Sequence, residues 1–199
     1  MTESTQLTLH RRRVDVDAAG GVESLLKALA PIMLEASADG HAGPFAVVNI
    51  GTSTAESVRL FCTANVSAVL TANPTTLVVD LAPEAQYVRF ALNGLALTAN
   101  VAHALSAMLR SMAVVTCGPQ VTELRQRLDL LGLLVDGYAL QRLDTALAAA
   151  GHRLTGATRT LLESAAHGDT VGCLDTLRYE LPPVLDVIAV ALRHRVPGG

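Results

Sequence analysis

Thr76-Leu77-Val78-Val79-Asp80-Leu81 is the stretch whose reading decides the fold. It is almost wholly apolar, with Asn73-Pro74 before it and Pro83 after it. A strand with one wet face alternates apolar and polar residues. A run without alternation implies a strand covered on both faces, which is the habit of parallel sheets. Working outward, Phe45-Ala-Val-Val-Asn-Ile50 lies between Pro44 and Gly51 and reads as a second short strand. Met112-Ala-Val-Val-Thr-Cys117, closed by Gly118-Pro119, reads as a third, and Leu133-Leu-Val135 as a fourth.

The segments between these runs carry helical spacing. Ser53-Thr-Ala-Glu56 has the form of a capping box. Val58, Phe61, Cys62, Val66, Val69 and Leu70 follow it as one stripe. A loop containing Pro83 leads to Gly94, and a helix is predicted over 95–109 with Leu97, Val101, Leu105, Met108 and Leu109 on one face. Val121, Leu124, Leu128 and Leu131 form the stripe of the next helix, which Gly132 stops. Asp136-Gly137 turns the chain into another helix carrying Leu140, Leu143 and Leu147. Strands alternating with helices predict an α/β fold: a small, mostly parallel sheet with right-handed crossovers and helices packed on one face.

The ends differ from this middle. Residues 1–44 form an N-terminal extension, with a strand near Gln6-Leu7-Thr8-Leu9 and a helix near 22–36 interrupted by Pro31. Residues 45–150 form the central domain. Residues 151–199 read as helices alone, over about 158–167, 170–180 and 183–195, with Asp169 placed to cap the second and Pro182-Pro183 opening the third.

Composition excludes several classes of function. The 199 residues carry 15 Lys and Arg against 18 Asp and Glu, so no net positive field draws nucleic acid. Arg11-Arg12-Arg13 is followed at once by Asp15 and Asp17 and reads as a solvated edge. No stretch of ~18 or more apolar residues without charges, as a membrane span requires, is found. The opening Met1-Thr-Glu-Ser-Thr-Gln6 has no apolar signal core, and Cys62, Cys117 and Cys173 lie apart inside apolar runs. Both features predict a cytoplasmic protein with reduced, buried thiols. The six histidines form no ligand spacing, and no phosphate-binding glycine motif is present, so no metal, cofactor or catalytic residue is assigned. Asp80, at the end of a central strand, reads as structural, hydrogen-bonding the loop that follows.

The order of these segments resembles the STAS domains of anti-sigma factor antagonists. The resemblance runs from Gly51 through a helix to Asn73-Pro74 and Leu77-Val-Val-Asp-Leu81. It continues in Ala113-Val-Val-Thr-Cys-Gly118-Pro119, in Val121, Leu124, Leu128 and Gly132-Leu133, and in Val135-Asp136 with its helix. It covers about residues 45–150. It implies a small sheet with helices on one face and a loop at the start of a helix that docks a partner, with a phosphorylated serine or threonine as the switch. The matching stretch is Arg89-Phe90-Ala91-Leu92-Asn93-Gly94-Leu95. Gly94 and Leu95 fit, but Asn93 stands where the phospho-acceptor belongs and has no hydroxyl to accept a phosphoryl group. The switch is then missing, or has moved to a neighbour such as Thr98.

The resemblance implies a non-enzymatic regulatory module that binds an anti-sigma factor or a histidine-kinase-like ATPase. Ser53, Arg89, Phe90, Leu92, Asn93, Gly94 and Leu95 would form the partner-binding residues. Two other readings stand beside it. One is a self-associating scaffold or accessory subunit of a signalling or transport complex, with the terminal helices building a homodimer. The other is a small-molecule sensor or enzyme of another α/β family, which needs a convergent polar pocket.

Overall fold

The computed structural model describes residues 7–35, 44–52 and 58–195. The elements in chain order are β1 (His10–Asp15), α1 (Gly21–Glu35), β2 (Phe45–Thr52), β3 (Arg59–Leu60), α2 (Thr63–Thr71), β4 (Thr76–Pro83), α3 (Glu84–Met108), α4 (Gly118–Arg142), α5 (Thr145–Ala166), α6 (Thr170–Asp175) and α7 (Leu181–Arg193). Short 3-10 turns precede α1 and α4, and a π turn, Thr176–Glu180, joins α6 to α7. The capping box Ser53–Glu56 lies outside the described residues.

The sheet corrects the predicted fold. Its strand order is β1-β4-β2-β3, and every neighbouring pair runs antiparallel. The mostly parallel sheet is therefore not what the chain forms. The physical reason lies in two places. Residues 77–83 of β4 are buried throughout, so the missing alternation of Thr76–Leu81 is real, but both neighbours of this inner strand are antiparallel to it. The crossovers are also real: β1 and β2 share a direction, as do β3 and β4. Each crossover spans an intervening strand of opposite sense, β4 in the first case and β2 in the second. Local pattern shows that a helix returns the chain to the same direction; it does not show what is inserted between.

Two predicted strands are not strands. Val114–Cys117 is a 3-10 turn, with Val114 and Cys117 buried at the three-residue spacing of that helix and Val115 exposed. Leu133–Val135 lies inside α4, where Leu131, Leu134, Val135 and Tyr138 are buried at helical spacing. Gly132 does not stop that helix. The loop predicted from Asp80 to Gly94 is also absent, because β4 runs to Pro83 and α3 starts at Glu84. A strand was predicted near Gln6–Leu9; β1 begins at His10 and contains the Arg11–Arg13 run instead. An edge strand needs no apolar face of its own, and its charges discourage further pairing. Only Val14 of β1 is buried.

The chain divides into two compact units. Among the described residues, one comprises 7–90 and Asp136–Asp144, the other Ala91–Val135 and Thr145–Arg195. In the first, Leu25, Leu29 and Met33 of α1 and Val66 and Val69 of α2 join Val47, Ile50, Leu77, Val79 and Leu81 of the sheet in one core.

The last two turns of α4 belong to this first unit and are wired to the edge of β2. Among the described residues, β3 pairs with β2 at Asn49 and Ile50, and Phe61 adds one bond to the carbonyl of Val48. A bulge falls between Val47 and Asn49. Beyond it the edge is completed by side chains. The Gln141 amide takes the place of a strand residue: Oε1 accepts from Val47 N at 2.8 Å and Nε2 donates to Val47 O at 3.3 Å. Arg142 donates to Phe45 O at 3.3 Å. Asp136 accepts from Thr63 N at 2.6 Å and Thr63 Oγ1 at 3.0 Å. That satisfies the start of α2, whose cap residue Cys62 makes no side-chain cap bond. Gly137 permits the approach, since a Cβ there would stand 1.8 Å from Phe61 O.

Three glycine-to-alanine substitutions follow different signs. Gly94 and Gly132 lie inside helices, and an added Cβ meets nothing within 4 Å. Gly94→Ala and Gly132→Ala are each expected to stabilise the protein by ~0.5–1 kcal/mol in chemical denaturation. Gly137→Ala has the same helix preference but collides with backbone, and is expected to destabilise by about 3 kcal/mol or more.

Candidate functional site

The residues expected to form a partner-docking loop lie along the middle of a helix. Arg89 and Asn93 are exposed on α3, Phe90, Leu92 and Gly94 are half-buried, and Leu95 is buried. Arg89 and Phe90 belong to the first compact unit, and Leu92 to Thr98 to the second. The N–H groups of a helix interior are spent on carbonyls four residues back, so this stretch offers no orphan donors and no dipole end. Thr98 is buried, and its hydroxyl donates to Gly94 O at 2.7 Å, so the alternative acceptor is turned inward. Ser53 lies outside the described residues.

Asp80 does not bond the segment that follows it. Its carboxylate accepts from Arg11 Nε at 2.8 Å and Nη2 at 3.2 Å, and from Asn49 Nδ2 at 3.2 Å. The three residues are cross-strand neighbours on β1, β4 and β2. Asp80 is buried to 3% exposure, whereas the Arg11 side chain is more than half exposed. The Arg11 bonds hold the Asp80 carboxyl below the usual carboxylate range, against the burial that opposes ionisation, with Asn49 helping. This fork ties Arg11, the first arginine of the run, to the strand beside it.

A second polar group joins the start of α3 to the end of α4. Tyr138 donates its hydroxyl to Glu84 Oε1 through a short hydrogen bond, and Arg142 Nη2 pairs with the same oxygen at 2.8 Å. The Arg142 guanidinium lies 5.9 Å from the centre of the Tyr138 ring. Tyr87 stacks on Tyr138 with ring centres 5.6 Å apart, and burial pushes its phenol well above the ordinary tyrosine range. Sequence reading did not single out Glu84, Tyr138, Gln141 or Arg142. Two aromatic residues in an aromatic-poor chain were the signal available, but only the fold brings them together. These groups face one another, and their chemistry is spent on holding the first unit closed. Among the described residues, no three His, Cys, Asp or Glu side chains gather to hold a metal ion. Cys62, Cys117 and Cys173 are buried free thiols, and burial raises the Cys173 thiol.

The surface feature with binding character is in the second unit. Asp169 caps α6 by accepting from Gly172 N at 2.9 Å. The helical path then widens at Thr176–Glu180, where Leu181 N reaches back five residues to Thr176 O. Pro182 and Pro183 account for the widening. Neither can donate to a carbonyl four residues back, and their rings crowd the preceding turn. α7 buries Leu181 ahead of the prolines and Val184, Leu185, Ile188, Ala189 and Leu192 beyond them. The exposed side of α7, with the π turn before it, carries apolar residues too, beside Asp186 and Arg193. Tyr179 is 69% exposed, Val187 41% and Val190 50%, and Pro183 lies between them on the exposed side. A helix apolar on both sides is normally covered on both. The place of Val187 on the outer side follows from the register of α7 against its neighbours. Met112, Val115 and Val171 are further exposed apolar residues of this unit, as are Leu130 and Leu133 on the outside of α4.

No protein-family model matches the chain, and no curated protein or solved structure matches it either. Among the described residues, no helix is long and apolar enough to cross a membrane.

The Asp80 fork makes a pH-dependent prediction. A carboxyl whose folded pKa is depressed contributes stability that is fully present above its unfolded value of ~3.9 and is lost as pH falls through the lower folded value. The stability advantage of the protein over Asp80→Asn should therefore be constant from neutral pH down to about pH 5 and then shrink toward zero in stronger acid. Urea denaturation of both proteins across that range reads it directly.

Proposed function

We propose that this chain is a non-enzymatic protein-binding module whose second unit docks other polypeptides through the outer side of α7. The observation that carries the reading is the exposed line Tyr179, Pro183, Val187 and Val190, behind which the same helix is fully packed. Exposed apolar residues at helical spacing suit a helical or grooved protein partner. Among the described residues, Glu84 is engaged by Tyr138 and Arg142, and Asp80 by Arg11.

The reading keeps the binding role expected from sequence and moves its seat from α3 to α7. The regulatory, anti-sigma-antagonist form of the role drew its mechanism from a helix start near Asn93. With Asn93 inside α3, the chain's own geometry no longer favours that form over a scaffold. The scaffold reading gains from the opposite charges of Asp186 and Arg193, both exposed on α7.

Val187→Asp combined with Val190→Asp puts two charges into the line without touching the packed side. The double variant should keep the helicity and melting temperature of the parent within a few degrees, since surface changes away from special features shift stability by about 0.5 kcal/mol. Isolation of both proteins from their native cell extract, quantified by mass spectrometry, should show one or more proteins lost from the variant. Each should re-form a stoichiometric complex with the purified parent. Recovery of the same set by both proteins in equal amounts would overturn the proposal.

A further inference from the structure

We infer that the occupant of this α7 surface is the same surface of a second copy, laid antiparallel across a two-fold axis. The inference rests on the binding role proposed above and supplies its partner. Charge distribution along the exposed side carries it. Glu180 and Asp186 lie toward the start of α7, and Arg193 and His194 at its end, all exposed. At 3.6 residues per turn, Val187 and Val190 face outward together, and Asp186 and Arg193 fall on one flank of the line they make. In a two-fold antiparallel pair, each flank of one helix meets the same flank of the other.

The register is then fixed by the valines. With Val187 opposite Val190 of the second copy, the pair repeats twice by symmetry and fills the centre. Asp186 then stands about two residues from Arg193 of the second copy, ~3 Å along the axis at 1.5 Å per residue, within reach of a guanidinium. That contact also occurs twice. A parallel two-fold pair would bring opposite flanks together, so Asp186 and Arg193 of the two copies would not meet, and it would align the two helix dipoles unfavourably. The surface therefore complements itself in one orientation only. One helix face per copy is small beside a standard interface of about 1,600 Å², so the dimer is expected to dissociate reversibly at micromolar concentrations.

Sedimentation equilibrium of the purified full chain, from micromolar to submillimolar concentration, tests this. The expected result is a monomer–dimer equilibrium. Asp186→Arg and Arg193→Asp should each weaken it by about tenfold or more, because each places like charges in contact twice. An equimolar mixture of the two single variants should recover the parent affinity as a heterodimer, since one ion pair re-forms as in the parent and the other with reversed sign; a parallel pair, in which these charges do not meet, would show neither the loss nor the rescue. A chain that stays monomeric throughout, or a dimer indifferent to the swaps and to their mixing, overturns the inference. If the monomeric chain still binds a different protein that Val187→Asp with Val190→Asp abolishes, the second-copy inference fails and the binding role stands. If neither kind of association responds to those aspartates, both fail.

Discussion

The first unit depends on how the edge of β2 is closed. A strand edge exposes N–H and C=O groups that must be met by another strand, by water or by side chains. Here β3 meets only part of it. Beyond the bulge, Gln141 offers one acceptor and one donor to the two backbone groups of Val47, as a neighbouring strand residue would, and Arg142 extends the contact to Phe45. The same two turns of α4 bring Asp136 to the start of α2 and Tyr138 to Glu84. Each turn of the segment therefore bonds a different element. A residue more than ninety positions away in sequence completes a sheet that the local strands leave unfinished.

This dependence explains the placement of glycine in α4. Gly132 and Gly137 read alike in a sequence, as a stop and a turn. In the fold both are helical, and they differ in what surrounds them. Gly132 faces open space, while Gly137 lies against the backbone of Phe61. A helix that must bring its side chains within hydrogen-bonding distance of a strand edge needs one position without a Cβ. The continuity of α4 in turn removes the strand expected at 133–135.

The sequence was most legible where physical cause is local. Asp169 before Thr170 and the Pro182-Pro183 pair mark the C-terminal helices, because capping and missing donors act within one turn. The apolar runs at 45–50 and 76–81 are strands, as their composition predicts. What failed was everything decided at long range. Strand direction is set by which strand is inserted between two others. β1 is not marked by local pattern, because its Arg11 is held by Asp80, sixty-nine residues on. Val114–Cys117 has the composition of a strand and lacks the second strand to pair with. The STAS resemblance followed the order of apolar runs, and so carried the same error into Arg89–Leu95. The α7 surface was legible only as a helix opened by Pro182-Pro183; which of its apolar residues are packed and which exposed is set by its neighbours in the fold.

The central claim is that the Gln141 side chain stands in for a strand beside Val47. Amide hydrogen exchange at Val47, followed by NMR in the parent and in Gln141→Ala, tests it most directly. The account predicts a protected Val47 amide in the parent. In the variant, its exchange should be at least tenfold faster, while Val79 and Leu81 in β4 keep their protection. An amide that exchanges freely in the parent, or one whose protection survives the loss of Gln141, would contradict it.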